Sequence, residues 1–533
     1  MYQCPNCGGA LKFDIQSQSI KCVQCSSSFD PYSFDKTTDA EVSDEYQVTK
    51  FTCPQCGGEI VSTDNTAANF CSFCGASTIL MQNLSNEKKP KYIIPFIRTK
   101  EDCKAEYKKT MKHAIFAPKE LRDPAYIDGF RGIYIPYWAY YVKQQGHISF
   151  SGKKSERHGD YIYTDNYRVE GDLNCHYKGL THDASSSFDD NISERIAPYD
   201  VKNMKAFNPS FLSGFYADTA DVPSDIYINE SVDFANQESA GYVNRSASSG
   251  KMDISGTNTA VSGLSHIDSI DSSLFPVWFL SYRRKNRVAY ATVNGQTGKV
   301  AADIPIDVGK FTIFSLILAL PIYLLLNLFF TFKPTNALLL VSFIALVGLI
   351  VHYFELRSIV KRDQNSDDKG LNYQKTGTSY VNNNSFLIIN KQGKSNNNGK
   401  SGPSFAGIIT VFVIGCILFP FISIFIKNTT NSIISVIIAA ISVLMGIFCG
   451  KELRKIDLGK PKFPGYLGAV VANIITLLIT VIAPADDEFY YVALVVSIVF
   501  MFMTLIDLIK YFNVLATRKL PQFTNYRGGD DRA

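Results

Sequence analysis

Eight of the twelve cysteines fall into two copies of one spacing, Cys-x2-Cys-x14-Cys-x2-Cys. The first copy is Cys4, Cys7, Cys22 and Cys25; the second is Cys53, Cys56, Cys71 and Cys74, displaced by 49 residues throughout. Each opens with Cys-Pro-x-Cys-Gly-Gly. A two-residue gap lets both thiolates of a tight turn face one ion, and the glycines allow the positive φ such turns need. The 14-residue interval is long enough for a short hairpin that carries the second pair back to complete a tetrahedral Cys4 site. The expected cofactor is Zn2+, two structural ions, each supplying on the order of 10 kcal/mol to a segment too small to fold by apolar burial. The competing reading is four disulfides in a secreted module. It is disfavoured because no signal peptide precedes Cys4 and the rest of the chain points this end to the cytosol.

Zinc ribbons commonly act as rigid knobs that bind nucleic acid or protein, and charge helps to choose. Residues 1–80 carry four basic side chains, all lysine, against nine acidic ones, before any metal-bound thiolate is counted. A phosphate-binding surface needs clustered Lys and Arg, so nucleic acid is not the expected partner. Protein binding, or capping of the next domain, is.

The elements that must carry these ribbons divide the chain in two. The first 305 residues are polar, and the remainder is very apolar. From Phe311 onward six runs are long enough to span a bilayer, near 312–332, 336–354, 406–426, 432–449, 466–484 and 490–510. They pair as three helical hairpins with very short joins. Eighteen basic residues lie in the 355–405 loop, the 450–465 loop and the C-terminal tail, against two in the intra-pair turns. The positive-inside rule then places the N-terminal domains, both long loops and the C-terminus in the cytosol; the expected location is the plasma membrane, crossed several times. No ionisable residue occupies the middle of a span. His352, Glu355, Asp507 and Lys510 sit near span ends and read as anchors or a local ion pair. Asn327 and Asn473 read as interhelical hydrogen-bonding groups, and Gly446-x3-Gly450 as a close helix contact.

Residues 91–305 form a region of domain size. Thr99-Lys100-Glu101-Asp102 has the pattern of a capping box opening a helix to about Phe116. The stretches 132–142, 161–177 and 275–304 read as strands. Both tryptophans, Trp138 and Trp278, follow a proline in similar contexts, an internal echo that coincidence would also produce. No catalytic constellation appears, so the chain is expected not to be an enzyme. His147, His158, His176, His182 and His266 read as solvated surface histidines, and Cys103 and Cys175 as reduced thiols. The segment 393–401 imitates a phosphate-binding loop but has five residues between its glycines where that motif has four.

The chain resembles a family of bacterial membrane proteins, mainly of Gram-positive bacteria, that carry TFIIB-type zinc ribbons. The resemblance rests on the doubled Cys-Pro-x-Cys-Gly-Gly, on Ile93-Ile94-Pro95-Phe96, on Gly132-Ile133-Tyr134-Ile135-Pro136-Tyr137-Trp138, and on the ending Thr517-Arg518-Lys519-Leu520-Pro521-Gln522-Phe523 with Arg527-Gly528-Gly529-Asp530. It implies zinc binding by the eight cysteines. It also implies neighbours with TPM-domain, phage-shock-A-like or SPFH (flotillin-like) proteins, hence envelope stress or membrane organisation. Such ribbons also resemble the zinc segment of the primosomal helicase, but no helicase core is present here.

The expected architecture is multidomain: two tandem Cys4 zinc ribbons, a cytosolic β-rich α+β domain and a C-terminal six-helix transmembrane domain. The divisions are ribbon 1 at 1–34, an acidic linker at 35–50, ribbon 2 at 51–82 and the β-rich domain at 91–305. Transmembrane helices 1–2 follow at 311–354, a flexible basic cytosolic loop at 355–405, helices 3–6 at 406–512 and a cytosolic tail at 513–533. The expected function is a membrane-anchored scaffold or adaptor that recruits cytosolic or membrane proteins. The alternatives are a transporter or channel with a regulatory zinc-ribbon domain, and a membrane-tethered nucleic-acid-binding protein. The bilayer is an expected partner, and no small-molecule substrate is evident.

Overall fold

The computed structural model describes residues 3–34, 45–63, 70–78, 80–249, 252–284, 286–329, 333–363, 369–370, 373, 428–456, 464–521 and 523. The first cysteine segment folds as a small antiparallel sheet of β1 (Leu11–Asp14), β2 (Ser19–Cys22) and β3 (Ser28–Phe29), followed by the short helix α1 (Pro31–Phe34). Leu11, Ile20 and Phe29 gather around Cys4 and Cys22, and this is the whole of its private apolar core. Phe13 instead leaves it for the main core, where its ring meets Phe211 at 5.3 Å and its N–H donates to Ser213 O.

The second cysteine segment is not a separate knob. Its strands β4 (Glu45–Thr52) and β5 (Glu59–Ser62), with β6 (Met81–Lys88), form one flank of a 13-stranded sheet. The sheet continues through β7 (Tyr92–Ile93), β8 (Arg131–His158), β9 (Tyr161–Asp183), β10 (Lys205–Ala206), β11 (Tyr216–Asp218), β12 (Asp253–Ser255), β13 (Ser265–Arg284), β14 (Arg287–Asn294) and β15 (Val300–Ala302). The link is β11, which pairs antiparallel with β5 (Ala217 opposite Val61) and parallel with β8 (Tyr216 opposite Ile133). The boundary expected between 82 and 91 therefore divides a continuous sheet.

Strands β8 and β13 form its centre, and their 132–142 and 271–281 stretches are buried on both faces, as period-2 alternation into two cores requires. Tyr134, Leu274, Trp278 and Leu280 enter one core; Ile133, Ile135, Tyr137, Phe275, Val277 and Phe279 enter the other. The two proline-containing segments lie antiparallel, with Ile135 opposite Phe275, Pro136 opposite Leu274 and Pro276 opposite Tyr134. The sequence echo is thus a local two-fold in the sheet. Their indoles point to different partners: Trp138 donates to Val222 O at 2.8 Å and Trp278 to Arg98 O at 2.9 Å.

Helix α2 (Lys100–His113) covers the first core with Cys103, Tyr107 and Met111. It opens with the expected capping box: the Thr99 hydroxyl accepts from Asp102 N, and Asp102 Oδ2 accepts from Thr99 N at 3.0 Å. A short α3 (Pro124–Ile127) follows. Helix α4 (Asp190–Ile196), N-capped by Asp189, packs Ile192 and Ile196 on the opposite face. Helices α5 (Ile228–Ser249) and α6 (Thr257–Ser262) flank the extended β8–β9 hairpin.

The C-terminal part is helical: α7 (Val308–Phe329), α8 (Pro334–Asp363), α9 (Asn428–Leu453), α10 (Tyr466–Ile482) and α11 (Asp487–Leu515). Among the described residues, three stretches are long and apolar enough to cross a membrane: Pro334–Lys361, Ser432–Leu453 and Asp487–Leu515. The expected spans at 312–332 and 466–484 coincide with shorter apolar helical stretches, Val308–Pro321 and Tyr466–Ile482. The one at 406–426 lies outside the described residues. In the bundle, Asn473 accepts from Ser342 Oγ at 2.7 Å and donates to Ser442 Oγ at 2.6 Å, the interhelical role its sequence position suggested. A side chain at Gly446 would meet Val470, and one at Gly450 would meet the Tyr466 hydroxyl, so both glycines permit close approach. After α11 the chain returns to the sheet as β16 (Arg518–Lys519), which pairs with β14.

Candidate metal centres

All eight predicted ligands come together in two groups of four, and the Sγ atoms of each group lie within 4.8 Å of one another. The cause is a turn repeated four times. In each, the first cysteine's carbonyl accepts from the residue four positions on, which takes a left-handed conformation: Gly8 and Gly57 (φ +71°), Gly75 (φ +70°) and Ser26 (φ 60°). Three of the four are glycine, as the left-handed region favours; Ser26 is the exception.

Sulfur separations are 3.5 Å for Cys4–Cys25, 3.4 Å for Cys7–Cys22, 3.8 Å for Cys53–Cys74 and 3.7 Å for Cys56–Cys71. These are far longer than a disulfide of about 2.05 Å. A tetrahedral ion with metal–sulfur bonds of about 2.3 Å needs edges of about 3.8 Å. The second group meets that length and the first falls a few tenths of an ångström short. Four thiolates in this arrangement fit a soft or borderline ion such as zinc.

The surroundings of the two groups differ. In the first, Cys4 and Cys22 are buried while Cys7 and Cys25 face solvent. Cys25 Sγ lies 3.1 Å from the Ser27 hydroxyl; with a backbone hydrogen bond from Ser27, this brings its pKa down to about 6, the thiolate form that a metal takes. The ribbon is held from its far end, where Gln18 Nε2 donates to Phe96 O, Tyr32 OH donates to Ala206 O and Phe211 packs against Phe13 and Tyr32.

In the second group all four cysteines are buried, enclosed by Phe51, Ile60, Phe73, Leu80 and Phe523. The β-rich sheet supplies one wall: Phe73 meets Phe279 edge-on at 6.3 Å, and Tyr290 OH donates to Phe73 O. The C-terminal tail supplies the other. Phe523 N–H donates to Cys56 O at 2.7 Å, and its ring meets Phe73 at 5.8 Å. The sequence contains Phe523 in the recognised ending, but nothing in its spacing ties it to a cysteine 467 positions earlier.

The tail is anchored along its length. Arg287 donates to Val514 O, Thr517 O and Thr517 Oγ1 at the end of α11. Asn513 brackets the backbone of Ile306 through both its amide nitrogen and oxygen. Arg518 contacts Asp189 Oδ1 at 3.0 Å and Asp303 Oδ2 at 3.5 Å, and stacks over Tyr290. Beside it, Lys369, from the stretch between α8 and α9, reaches the same helix cap. Its N–H donates to Asp190 Oδ2, its ammonium pairs with Glu230, and it lies over the Tyr227 ring. Burial raises Asp190 to about 6 and Glu194 to about 7, and lowers Lys369.

The histidines are divided. His147, His158, His176 and His266 are exposed as expected. His182 departs from the expectation of a solvated surface ring: it stacks on Tyr227 at 4.7 Å, and desolvation, with Lys369 nearby, lowers it to about 3. Residues 183–188, which follow it, are buried, Ser186 donating to Asp221 through both its hydroxyl and its N–H. Cys103 is buried in the first core. The segment at 393–401 is outside the described residues.

No family model matches the chain, and no solved structure matches it. The chain is similar to the uncharacterized protein YdjG of Bacillus subtilis (strain 168), 27% identical over 315 residues that cover 58% of this chain and 91% of that protein. The molecule is thus defined by two Cys4 groups, a β-rich domain that encloses one of them, and apolar helices suited to a membrane.

Proposed function

We propose that this protein is a membrane-anchored zinc-ribbon scaffold: the helices hold it in the plasma membrane and the first ribbon is its recruiting surface for other proteins. In this reading both Cys4 groups bind structural zinc, and the two shorter apolar helices and the 406–426 segment also cross the bilayer. The termini lie in the reducing cytosol, where thiolates persist. The chain acts by binding rather than by catalysis.

The observation that carries the reading is the exposure of Cys7 and Cys25 on a ribbon anchored from its opposite end. That arrangement presents a rigid, solvent-facing tip and leaves its docking end fixed. The acidic balance of residues 1–80 favours a protein over a polyanion. The resemblance noted above suggests TPM-domain, phage-shock-A-like or SPFH proteins as the partners.

The test is metal content together with capture. Purified full-length protein should carry two zinc ions per chain. Crosslinked complexes captured from intact membranes should contain a defined partner, and lose it when Cys4 and Cys7 become Ser while the second site keeps its zinc. A partner retained by that variant would remove the first ribbon from the recruiting role.

A further inference from the structure

The helix bundle contains an ionisable pair that the scaffold reading does not use. His352 and Glu355 lie one turn apart on α8 and so share a face. His352 is fully buried and Glu355 is 8% exposed. Both ring nitrogens of His352 and Oε2 of Glu355 have no hydrogen-bond partner among the described residues.

The rest of the bundle interior behaves differently. Asn473 is satisfied by Ser342 and Ser442, Thr504 donates to Gly465 O, and Asp507 Oδ2 accepts from Gly465 N at 2.9 Å. Apart from the Ser497 hydroxyl, the unpartnered side-chain atoms of the described bundle all belong to His352 and Glu355. Buried polar groups are almost always satisfied, and ionisable groups among membrane helices are costly unless they do something. Two of them left open on one helical turn mark a place where a ligand completes the bonding.

The groups facing the pair limit what that ligand is. From α11, Tyr511 sets its ring 4.9 Å from the imidazole, and one turn earlier Asp507 is engaged by Gly465 N and Lys510. From α10 comes Tyr466, at 5.9 Å, and from α9 the buried Cys449. Arg357 lies on α8 itself and is exposed. No third carboxylate, imidazole or thiol gathers with the pair, since the cysteine groups are the sites where three or more ligand atoms converge among the described residues. A metal ion would be under-coordinated here. A proton needs only one basic nitrogen or one carboxylate.

Along α8, Ala345 and Leu349 lie in sequence between Ser342 and His352, and along α10 Ala469 lies between Tyr466 and Asn473, so these members of the apolar cluster come between the pair and the hydrogen-bonded Ser342–Asn473–Ser442 group in chain order. We propose that His352 and Glu355 form a proton-binding site inside the helix bundle, with water completing their hydrogen bonds. The bundle is then a protonation-responsive element as well as an anchor. The site does not depend on the ribbons, so its failure and the failure of the scaffold reading are separable.

The experiment is infrared difference spectroscopy of the full-length protein in lipid nanodiscs, titrated between about pH 4 and pH 9, which spans ordinary carboxyl and imidazole ionisation. Asp190 and Glu194 also titrate in this interval, so the readout is the wild-type spectrum minus that of Glu355→Gln: this difference should contain a titrating carboxylic-acid carbonyl band, and the same band should be present when Asp507→Asn is the parent. In His352→Gln its midpoint should move by about tenfold in proton concentration, a coupling of about 1.4 kcal/mol. Glu355→Asp, which keeps a carboxyl group, should restore a titrating band, and helical circular dichroism should confirm that each variant is folded. The proposal is overturned if no titrating band maps to Glu355, or if the midpoint is unchanged in folded His352→Gln.

Discussion

The two ribbons share a cysteine spacing and a turn geometry, yet one is an appendage and the other a keystone. The first holds its cysteines with only three apolar side chains, Leu11, Ile20 and Phe29, and leaves Cys7 and Cys25 in solvent. The second shares strands with the main sheet, and its cysteines are closed in by Phe73, Phe279 and the returning tail. Identical ligand chemistry therefore has different consequences: loss of the first ion should cost a local fold, and loss of the second should cost the domain and its attachment to α11.

The sharpest way to break that contrast is to remove ligands. Cys53→Ser with Cys56→Ser should forfeit on the order of 10 kcal/mol within the sheet itself and abolish the near-ultraviolet circular dichroism of the whole β-rich domain. Cys4→Ser with Cys7→Ser should leave most of that signal. Equal losses would show that the two ribbons are equivalent.

Arg518→Ala comes next, because it removes the guanidinium that the largely covered carboxylates of Asp189 and Asp303 share, leaving Asp303 to Arg195 and Asp189 to the backbone of α4. Hydrogen bonds to charged groups are worth about 1.5–3 kcal/mol, and thermal unfolding should record a loss of that order together with release of the tail to protease. An Arg518→Ala protein with unchanged melting and an intact tail would detach the tail from the second ribbon's stability.

Phe523→Ala sharpens the comparison kinetically. A chelator should strip the first site much faster than the second in the wild type, and the variant should speed release from the second by about tenfold, equivalent to about 1.4 kcal/mol of barrier. The rate at the first site should not move. Release followed by a colorimetric zinc indicator decides it.

The acidic cap of α4 gives a smaller, pH-dependent effect. Folding raises Asp190 to about 6 and Glu194 to about 7 from their ordinary values of 3.8 and 4.5. The folded state therefore holds more protons than the unfolded one in that interval, and stability should fall as pH rises from about 4 to about 7. Glu194→Gln should flatten the upper part of this decline in melting temperature measured against pH. The smallest effect is expected of Ser26→Gly, which relieves the left-handed residue that is not glycine among the four cysteine turns and should stabilise the first ribbon by about 1 kcal/mol, read as tighter zinc retention there.

Legibility in the sequence followed the range of the interaction. The cysteine groups, the capping box at Thr99, the strands around Trp138 and Trp278, and the hydrogen-bonding role of Asn473 all come from local spacing or from a residue whose environment its neighbours dictate. His182 misled because a histidine in a polar stretch looks solvated, and only the fold brings Tyr227 and Lys369 against it. The domain boundary after residue 82 misled for a similar reason: β5 finds its partner, β11, more than 150 residues later.

What the sequence determined alone is the chemistry: four sulfur ligands twice over, an apolar C-terminal half, and an acidic amino-terminal segment poorly matched to phosphate. Spacing in a turn and hydrophobicity in a helix are short-range properties that no distant residue needs to complete. Only the tertiary structure decided which Cys4 group is enclosed, because burial is conferred by partners brought from far along the chain. Phe523 and Arg518 reach the second ribbon only after the last helix has returned the chain to the sheet.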